Sequence, residues 1–304
     1  MSKSILVIGG TGYLGGKVID HLLSRNVTVR ALVRPGSDTK TLESKGLGIV
    51  RGDLTKVESI IPALDNIDAV ISTAIGYSKR KKGDNLRNVD DIGNRNLIDA
   101  LKRSGIKRFV FTGVLNAHQA ESVPHFWQKK LIEDYMDEKG LPYLSLRPGA
   151  FLDQSPNQDF YAPGLKKGNL KVLGSTSIKW TNILSDDIAK YLAIAAIDEK
   201  IPMGRIDIGM NEPMNPEMLV QYASEYTGKP IKVSALPWSV IGSVFSVIGL
   251  FKPEMSDIKK MFDYMFTGQY VADTALQKKY FGEVPTVRDS VFRYCRQIGL
   301  SKAG

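Results

Sequence analysis

The chain has 304 residues, 43% of them hydrophobic and 24% charged, which is enough for one large domain or two modest ones and too apolar for a disordered chain. Its formal charge of +9 raises the question of nucleic acid, but the densest basic run, Lys79-Arg80-Lys81-Lys82, leads into Gly83-Asp84-Asn85 without a base-reading helix or interleaved aromatics, so no nucleic-acid partner is expected. The single cysteine, Cys295, excludes an internal disulfide and fits a reducing, cytoplasmic setting; no metal is expected, and a first strand that begins almost at once argues against a signal peptide.

The apolar run Ile5-Leu6-Val7-Ile8 ends in Gly9-Gly10-Thr11-Gly12-Tyr13-Leu14-Gly15, and Val18, Ile19, Leu22 and Leu23 follow at helical spacing. That order predicts a buried strand, a tight turn and a helix. Gly9 suits the turn, Gly12 lets the backbone approach a ligand, and Gly15 lets helix pack closely on strand. The free N–H groups and positive dipole end of such a helix favour a nucleotide pyrophosphate, so Gly9, Gly10, Thr11, Gly12, Tyr13, Leu14 and Gly15 are the predicted dinucleotide cradle.

A second strand is expected at 27–33, followed by Arg34-Pro35-Gly36-Ser37 with no carboxylate before Asp38. An NAD site wants an acid at this strand end for the ribose hydroxyls, and an NADP site wants a cation for the 2′-phosphate. Arg34, helped by Ser37, therefore points to NADP(H), while Arg30 inside the strand is expected to point elsewhere. A third strand at 48–50 leads to Asp53 and Leu54. Asp53 lies in reach of an adenine amino group, or equally caps the helix that follows. The fourth strand, 68–73, brings Thr73 and Ala74 to the same edge as cofactor contacts.

Val89, Ile92, Leu97, Ile98 and Leu101 recur as one helical face before a fifth strand at 108–112, which ends at Thr112. A helix at 127–139 closes at Gly140, and a sixth strand, 143–146, stops at Arg147-Pro148-Gly149. Alternating strands and helices predict an α/β fold with a doubly wound parallel (Rossmann) sheet over residues 1–150.

Residues 151–304 read as a smaller α+β substrate lobe, parts of which, about 176–210, are free to rejoin the main sheet. Ser185-Asp186-Asp187 opens one helix, and Asn215 caps another with Pro216 at its first position. Phe151, Phe160, Tyr161 and Trp180 fall where such a lobe should cover a nicotinamide; they are substrate-binding candidates for an apolar or aromatic molecule, or ordinary core. The most apolar stretch, 238–251, would make a helix of about 21 Å, short of the roughly 30 Å hydrocarbon core. It is expected to be a buried helix interrupted at Gly242 and Gly249, the alternatives being a substrate wall, a dimer interface, or a membrane-surface or protein contact.

Taken in order, Gly9-x-x-Gly12-x-x-Gly15, Arg34 after the second strand, Gly52-Asp53-Leu54, Lys129 with Glu133 one turn on, and Arg147-Pro148-Gly149-Ala150-Phe151 resemble the NmrA-like atypical short-chain dehydrogenases/reductases. The resemblance covers about the first 200 residues and, more loosely, Gly268 to Asp273 and Phe281-Gly282. It implies a Rossmann fold, bound NADP(H) and a monomer or homodimer.

In the wider superfamily a Tyr-x-x-x-Lys pair moves the proton. The spacing occurs here at Tyr13/Lys17, Tyr77/Lys81 and Tyr135/Lys139, none well placed. Aligned on Glu133 and Arg147, Lys129 takes the lysine position and His125 stands where the tyrosine would be. The resemblance makes Lys129 the residue that orients the ribose, relays a proton, or both, and it matches Thr112 to a hydroxyl position of the family, the alternative being that Thr112 simply ends its strand. His125, ordinarily titrating near neutrality, is either a proton donor or a polar residue at a helix start. Some members of the family reduce substrates with a lysine and no tyrosine; others, like NmrA itself or a photosystem assembly factor, bind the cofactor without known turnover.

The expectation is an NADPH-dependent oxidoreductase acting on a small apolar, carbonyl, enone or quinone-like substrate. The alternative is a non-catalytic NADP(H)-binding redox sensor, regulator or assembly factor. A sugar-nucleotide epimerase would share the glycine turn but normally keeps the tyrosine.

Overall fold

From Ile5 onward the first strand, β1 (Ser4–Ile8), is apolar because both of its faces are covered. Around it the computed structural model, which describes residues 3–76, 85–155 and 159–302, builds a seven-stranded sheet. The basic run 79–82 and the Tyr77/Lys81 pair lie outside the described residues. The further strands of this sheet are β2 (Thr28–Val33), β3 (Gly48–Arg51), β4 (Ala69–Ser72), β5 (Phe109–Thr112), β6 (Tyr143–Pro148) and a late strand, β10 (Gly204–Ile208), in the spatial order β10-β6-β5-β4-β1-β2-β3. β1 pairs in parallel with β2 on one side and β4 on the other, which makes its carboxyl end the topological switch point where open α/β sheets bind ligands.

Helices cover both faces. α1 (Tyr13–Leu23) and α6 (Ser185–Ile197) pack on each other over one face. On the other, Leu6, Ile8, Val70 and Phe109 meet Leu97 and Leu101 of α3 (Asn94–Ser104) and Ile132 and Met136 of α4 (Pro124–Glu138). The short α2 (Lys40–Ser44) precedes β3. The single helix expected through 89–101 is two joined pieces, a π-helix at Leu86–Gly93 running into α3. Asn94 stands at the junction, where its Nδ2 donates to the carbonyls of Asp90 (2.9 Å) and Val89 (3.4 Å) and so satisfies backbone acceptors at the change of winding.

The chain divides into two units. The first comprises Met1–His118, His125–Arg147 and Ser185–Ile206; the second comprises Gln119–Pro124, Pro148–Leu184 and Asp207–Gly304. Residues 185–206 thus return to the first unit, and no single cut near residue 150 separates the two.

The second unit holds two small parallel pairs, β7 (Ala150–Phe151) with β9 (Asn182–Ile183), and β8 (Asn169–Leu173) with β11 (Lys232–Leu236). Around them lie α5 (Ala162–Lys166), α7 (Pro216–Thr227), α8 (Trp238–Gly249), α9 (Pro253–Met265), α10 (Ala275–Phe281) and α11 (Val287–Gln297). Its core gathers Leu170, Met210, Leu219, Ala223, Val291 and Cys295. Asn215 caps α7 through a 2.8 Å bond from the Met218 N–H, with Pro216 first in the helix, as its sequence predicts.

The stretch 238–251 departs from its expected burial. Within α8 only Gly242 is buried, while Val240, Val244 and Val247 are exposed and Leu250 and Phe251, just past the helix, are 80% and 83% exposed. The helix leans on α9 through one side only, with the Trp238 ring 5.4 Å from Phe262 and 5.2 Å from Phe266. The valines fall on another side, where nothing in the described chain covers them. Among the described residues no helix is long and apolar enough to cross a membrane.

Candidate coenzyme site

The glycine turn sits at the carboxyl end of β1. Gly9 has φ +86°, and a Cβ there would stand 2.7 Å from the Thr73 hydroxyl. At Gly15 a Cβ would lie 2.2 Å from the Gly9 carbonyl oxygen, so this helix approaches this strand only because residue 15 has no side chain. The Gly12 N–H closes the turn on Gly9 O at 2.9 Å. No side chain caps the start of α1 and its first turn holds no acid, which leaves the N–H groups at the positive end of the helix for an external anion. Gly10 and Thr11 continue this turn, and Tyr13 and Leu14 open the helix. Across the switch point the Thr73 N–H and hydroxyl both donate to Ile8 O, at 3.0 and 3.1 Å, which brings Thr73 and Ala74 alongside the turn.

At the end of β2, Arg34 is half-buried and its carbonyl accepts the Ser37 N–H at 3.1 Å, with Gly36 at φ +73° between them. Arg51, which the sequence reading passed over, reaches this turn from β3. No spacing in the sequence marks it, because the strand register that sets it beside Val33, immediately before Arg34, is a tertiary contact. Arg30 points away, donating to Asp65 O at 2.6 Å. Asp53 uses Oδ1 on the Thr55 N–H (2.9 Å) and hydroxyl (2.8 Å), so it caps the following turn. Leu54 beside it is buried core.

The lysine lies deeper. Lys129 on α4 is 7% exposed, with Nζ 4.7 Å from the centre of the Phe111 ring of β5 and no hydrogen bond or ion pair to a described residue. Burial holds its pKa below the ordinary lysine value, against the opposing pull of the Asp90 and Glu133 carboxylates. Asp90, another residue the sequence reading missed, is buried on the π-helix and accepts the Gly76 N–H at 2.9 Å, which ties the loop after β4 to that helix. Thr112 donates to Ser72 O at 2.9 Å and so laces β5 to β4.

Glu133, one turn beyond Lys129, is a buried hub. It accepts from the Ser145 hydroxyl at 2.6 Å, from Nε of Arg147 and of Arg205 at 3.0 Å each, and from Nη2 of Arg147. The lysine, the glutamate and the arginine before Pro148 are thus one packed unit, with Glu133 fixing the helix that presents Lys129.

His125 is the second residue of α4. Burial, and then the neighbouring Lys129 ammonium, push its pKa down to about 4. The ring is therefore neutral at neutral pH, and any proton it gives leaves from a neutral N–H rather than from an imidazolium. Of the Tyr-x-x-x-Lys spacings, Lys17 lies over its own Tyr13 ring at 5.0 Å, and Tyr135 donates to Asp99 at 2.9 Å. Neither tyrosine is beside Lys129.

In the second unit, Phe151 is half-buried in β7, Phe160 is 79% exposed, Tyr161 packs against the core and Trp180 is buried where it bridges to Met214. Tyr161 and Trp180 thereby serve that unit's packing.

Comparison with known proteins agrees with this fold. The photosystem II assembly factor Ycf39 of Synechocystis is 27% identical over 297 residues, covering 96% of this chain and 90% of that one. The NADPH-dependent quinone oxidoreductase of Escherichia coli, crystallised with NADPH, superimposes with a TM-score of 0.76 at 20% identity, covering 95% of this chain and 99% of that chain. The triphenylmethane reductase of Citrobacter sp., crystallised with NADP(H), does so at 0.74 with 21% identity and coverages of 95% and 99%. The NmrA-like family model matches residues 1–279, and the chain belongs to that family.

Proposed function

We propose that the chain is an NADPH-dependent oxidoreductase whose acceptor is a small apolar carbonyl, enone or quinone-like molecule. The nicotinamide supplies the hydride when bound. The chain's own residues bind and orient: the 9–15 turn and the start of α1 take the pyrophosphate, Arg34 and Ser37 the 2′-phosphate, and Lys129 a ribose hydroxyl. The observation that carries this reading is Lys129, a buried amine that lies over the Phe111 ring and makes no hydrogen bond or ion pair to a described residue. Burying such a charge costs several kcal/mol unless something pairs with it, and the hydroxyls of a bound coenzyme are donor–acceptor groups of the required kind. Thr73 and Ala74 line the turn beside them. Among the relatives' names, the quinone oxidoreductase and the triphenylmethane reductase support an aromatic or quinone-like acceptor. The test is steady NADPH oxidation over a quinone and enone panel by the wild type and by Lys129→Ala. Turnover in the first and its loss in the second are expected; tight NADPH binding with no turnover on any acceptor overturns the catalytic part.

A second reading, a cofactor-binding assembly factor or redox sensor, is favoured by the uncovered apolar residues of α8 and by the Ycf39 relatives. In it the coenzyme site is the same and the output is a partner contact through 238–251. Pull-down of a partner whose binding changes with NADPH, and is lost in Val247→Asp, is its expected signature.

A further inference from the structure

The turn that follows β2 is held from outside. Arg51 ends β3, paired in register with Val33. Its Nη1 donates to Ser37 O at 2.9 Å and lies 3.5 Å from Arg34 O, while Nη2 donates to the Thr39 hydroxyl at 2.8 Å. Thr39 is itself buried and its hydroxyl donates a hydrogen bond to Glu43 Oε1 at 2.7 Å. A planar guanidinium thus grips a carbonyl and a hydroxyl two residues apart, one arm on each; a lysine ammonium, a single point of charge, cannot reproduce that fork. The Nε–H of Arg51 has no described partner and the side chain is exposed. Arg34 and Arg51 thus stand at neighbouring strand ends, the Arg51 guanidinium held against the turn that carries Arg34, on the edge to which the coenzyme reading assigns the adenosine end.

We propose that Arg51 is a second determinant of coenzyme choice, a positioning residue that holds the Arg34–Ser37 turn in the shape that meets a ribose 2′-phosphomonoester and adds its charge to that of Arg34. This rests on the coenzyme reading above and deepens it. A pyrophosphate held at the glycine turn does not need Arg51; a 2′-phosphate does. Its removal therefore separates the two coenzymes instead of weakening both.

The experiment measures dissociation constants for NADPH and NADH, and for the fragments 2′,5′-ADP and 5′-AMP, with wild type, Arg51→Ala, Arg51→Lys and Arg34→Ala, alongside thermal midpoints. Arg51→Ala is expected to weaken NADPH and 2′,5′-ADP about 10- to 100-fold while NADH and 5′-AMP stay within about twofold, and Arg51→Lys to recover little of the loss. An unchanged NADPH-to-NADH ratio in Arg51→Ala overturns the proposal, as does an equal loss for both coenzymes or full recovery with lysine. If those results come with a ratio that still collapses in Arg34→Ala, the coenzyme reading stands and only Arg51's part falls. A wild type that binds neither coenzyme, or prefers NADH, removes both.

Discussion

Arg147 Nε donates to Glu133 Oε1 at 3.0 Å, and this bond joins the end of β6 to the helix that carries Lys129. Glu133 is 2% exposed and is shared with Arg205, so the carboxylate is a buried charge balanced by two guanidinium groups. Such a pair is costly to break, because the surviving charges stay buried without a partner.

Glu133→Gln is accordingly expected to destabilise the fold by about 3–5 kcal/mol. Replacing Arg147 by methionine in the same chain should recover part of that loss, since it withdraws one stranded charge. Urea unfolding of the two variants beside wild type checks it; an undiminished midpoint in the single variant contradicts the hub.

At Gly15 the added methyl of Gly15→Ala would stand 2.2 Å from the Gly9 carbonyl, with backbone rather than a yielding side chain in the way. The helix start must retreat. The expected result is a loss of about 1–3 kcal/mol in stability together with loss of NADPH binding, read by thermal melts with and without coenzyme. An alanine variant that still gains stability from NADPH would refute the close approach.

Lys129 sets function against stability. Its folded pKa lies below the ordinary 10.5, so the unfolded chain holds that proton more tightly. The resulting penalty is present in full at pH values below the lowered pKa and lifts as pH rises toward 10.5. Lys129→Met, of similar length and uncharged, is expected to raise stability at pH 7 by about 1–2 kcal/mol while weakening NADPH binding. Wild-type NADPH affinity should also fall on the alkaline side at a pH below 10.5, a limb absent from Lys129→Met. Equal melting temperatures in the two proteins would count against a buried lysine without an ion pair.

His125 gives the opposite pH window. Its folded pKa is about 4 against an ordinary 6.5, so as pH falls through 6.5 the unfolded chain takes up a proton that the folded chain refuses. Stability present above that range is lost progressively toward pH 4, by about 2 kcal/mol between pH 7 and pH 5. Urea midpoints at those two pH values should show this fall in wild type and a smaller one in His125→Gln; parallel falls in both would assign the acid sensitivity elsewhere.

The local elements of the first unit were legible because their information is local. A short apolar run before spaced glycines, and then a helical face, dictate strand, turn and helix within about twenty residues, and the cation after β2 follows from where that strand stops. The same holds for the Asn215 cap. Three other features depended on contacts between distant segments, which no spacing reports. The apolar 238–251 stretch reads as core by composition, yet which of its sides is covered depends on where α9 lies, and α9 takes only one. The His125 pKa could not be read from a histidine near a helix start, because burial and the charge of Lys129 set it. Asp90 and Arg51 became visible only when winding and strand register brought them to Gly76 and Ser37. What the chain's order alone determined is the glycine turn that opens α1 and the parallel sheet; which charges are buried around Lys129, and with what protonation, was decided by packing, since desolvation and Coulomb energy depend on distance in space and not along the chain.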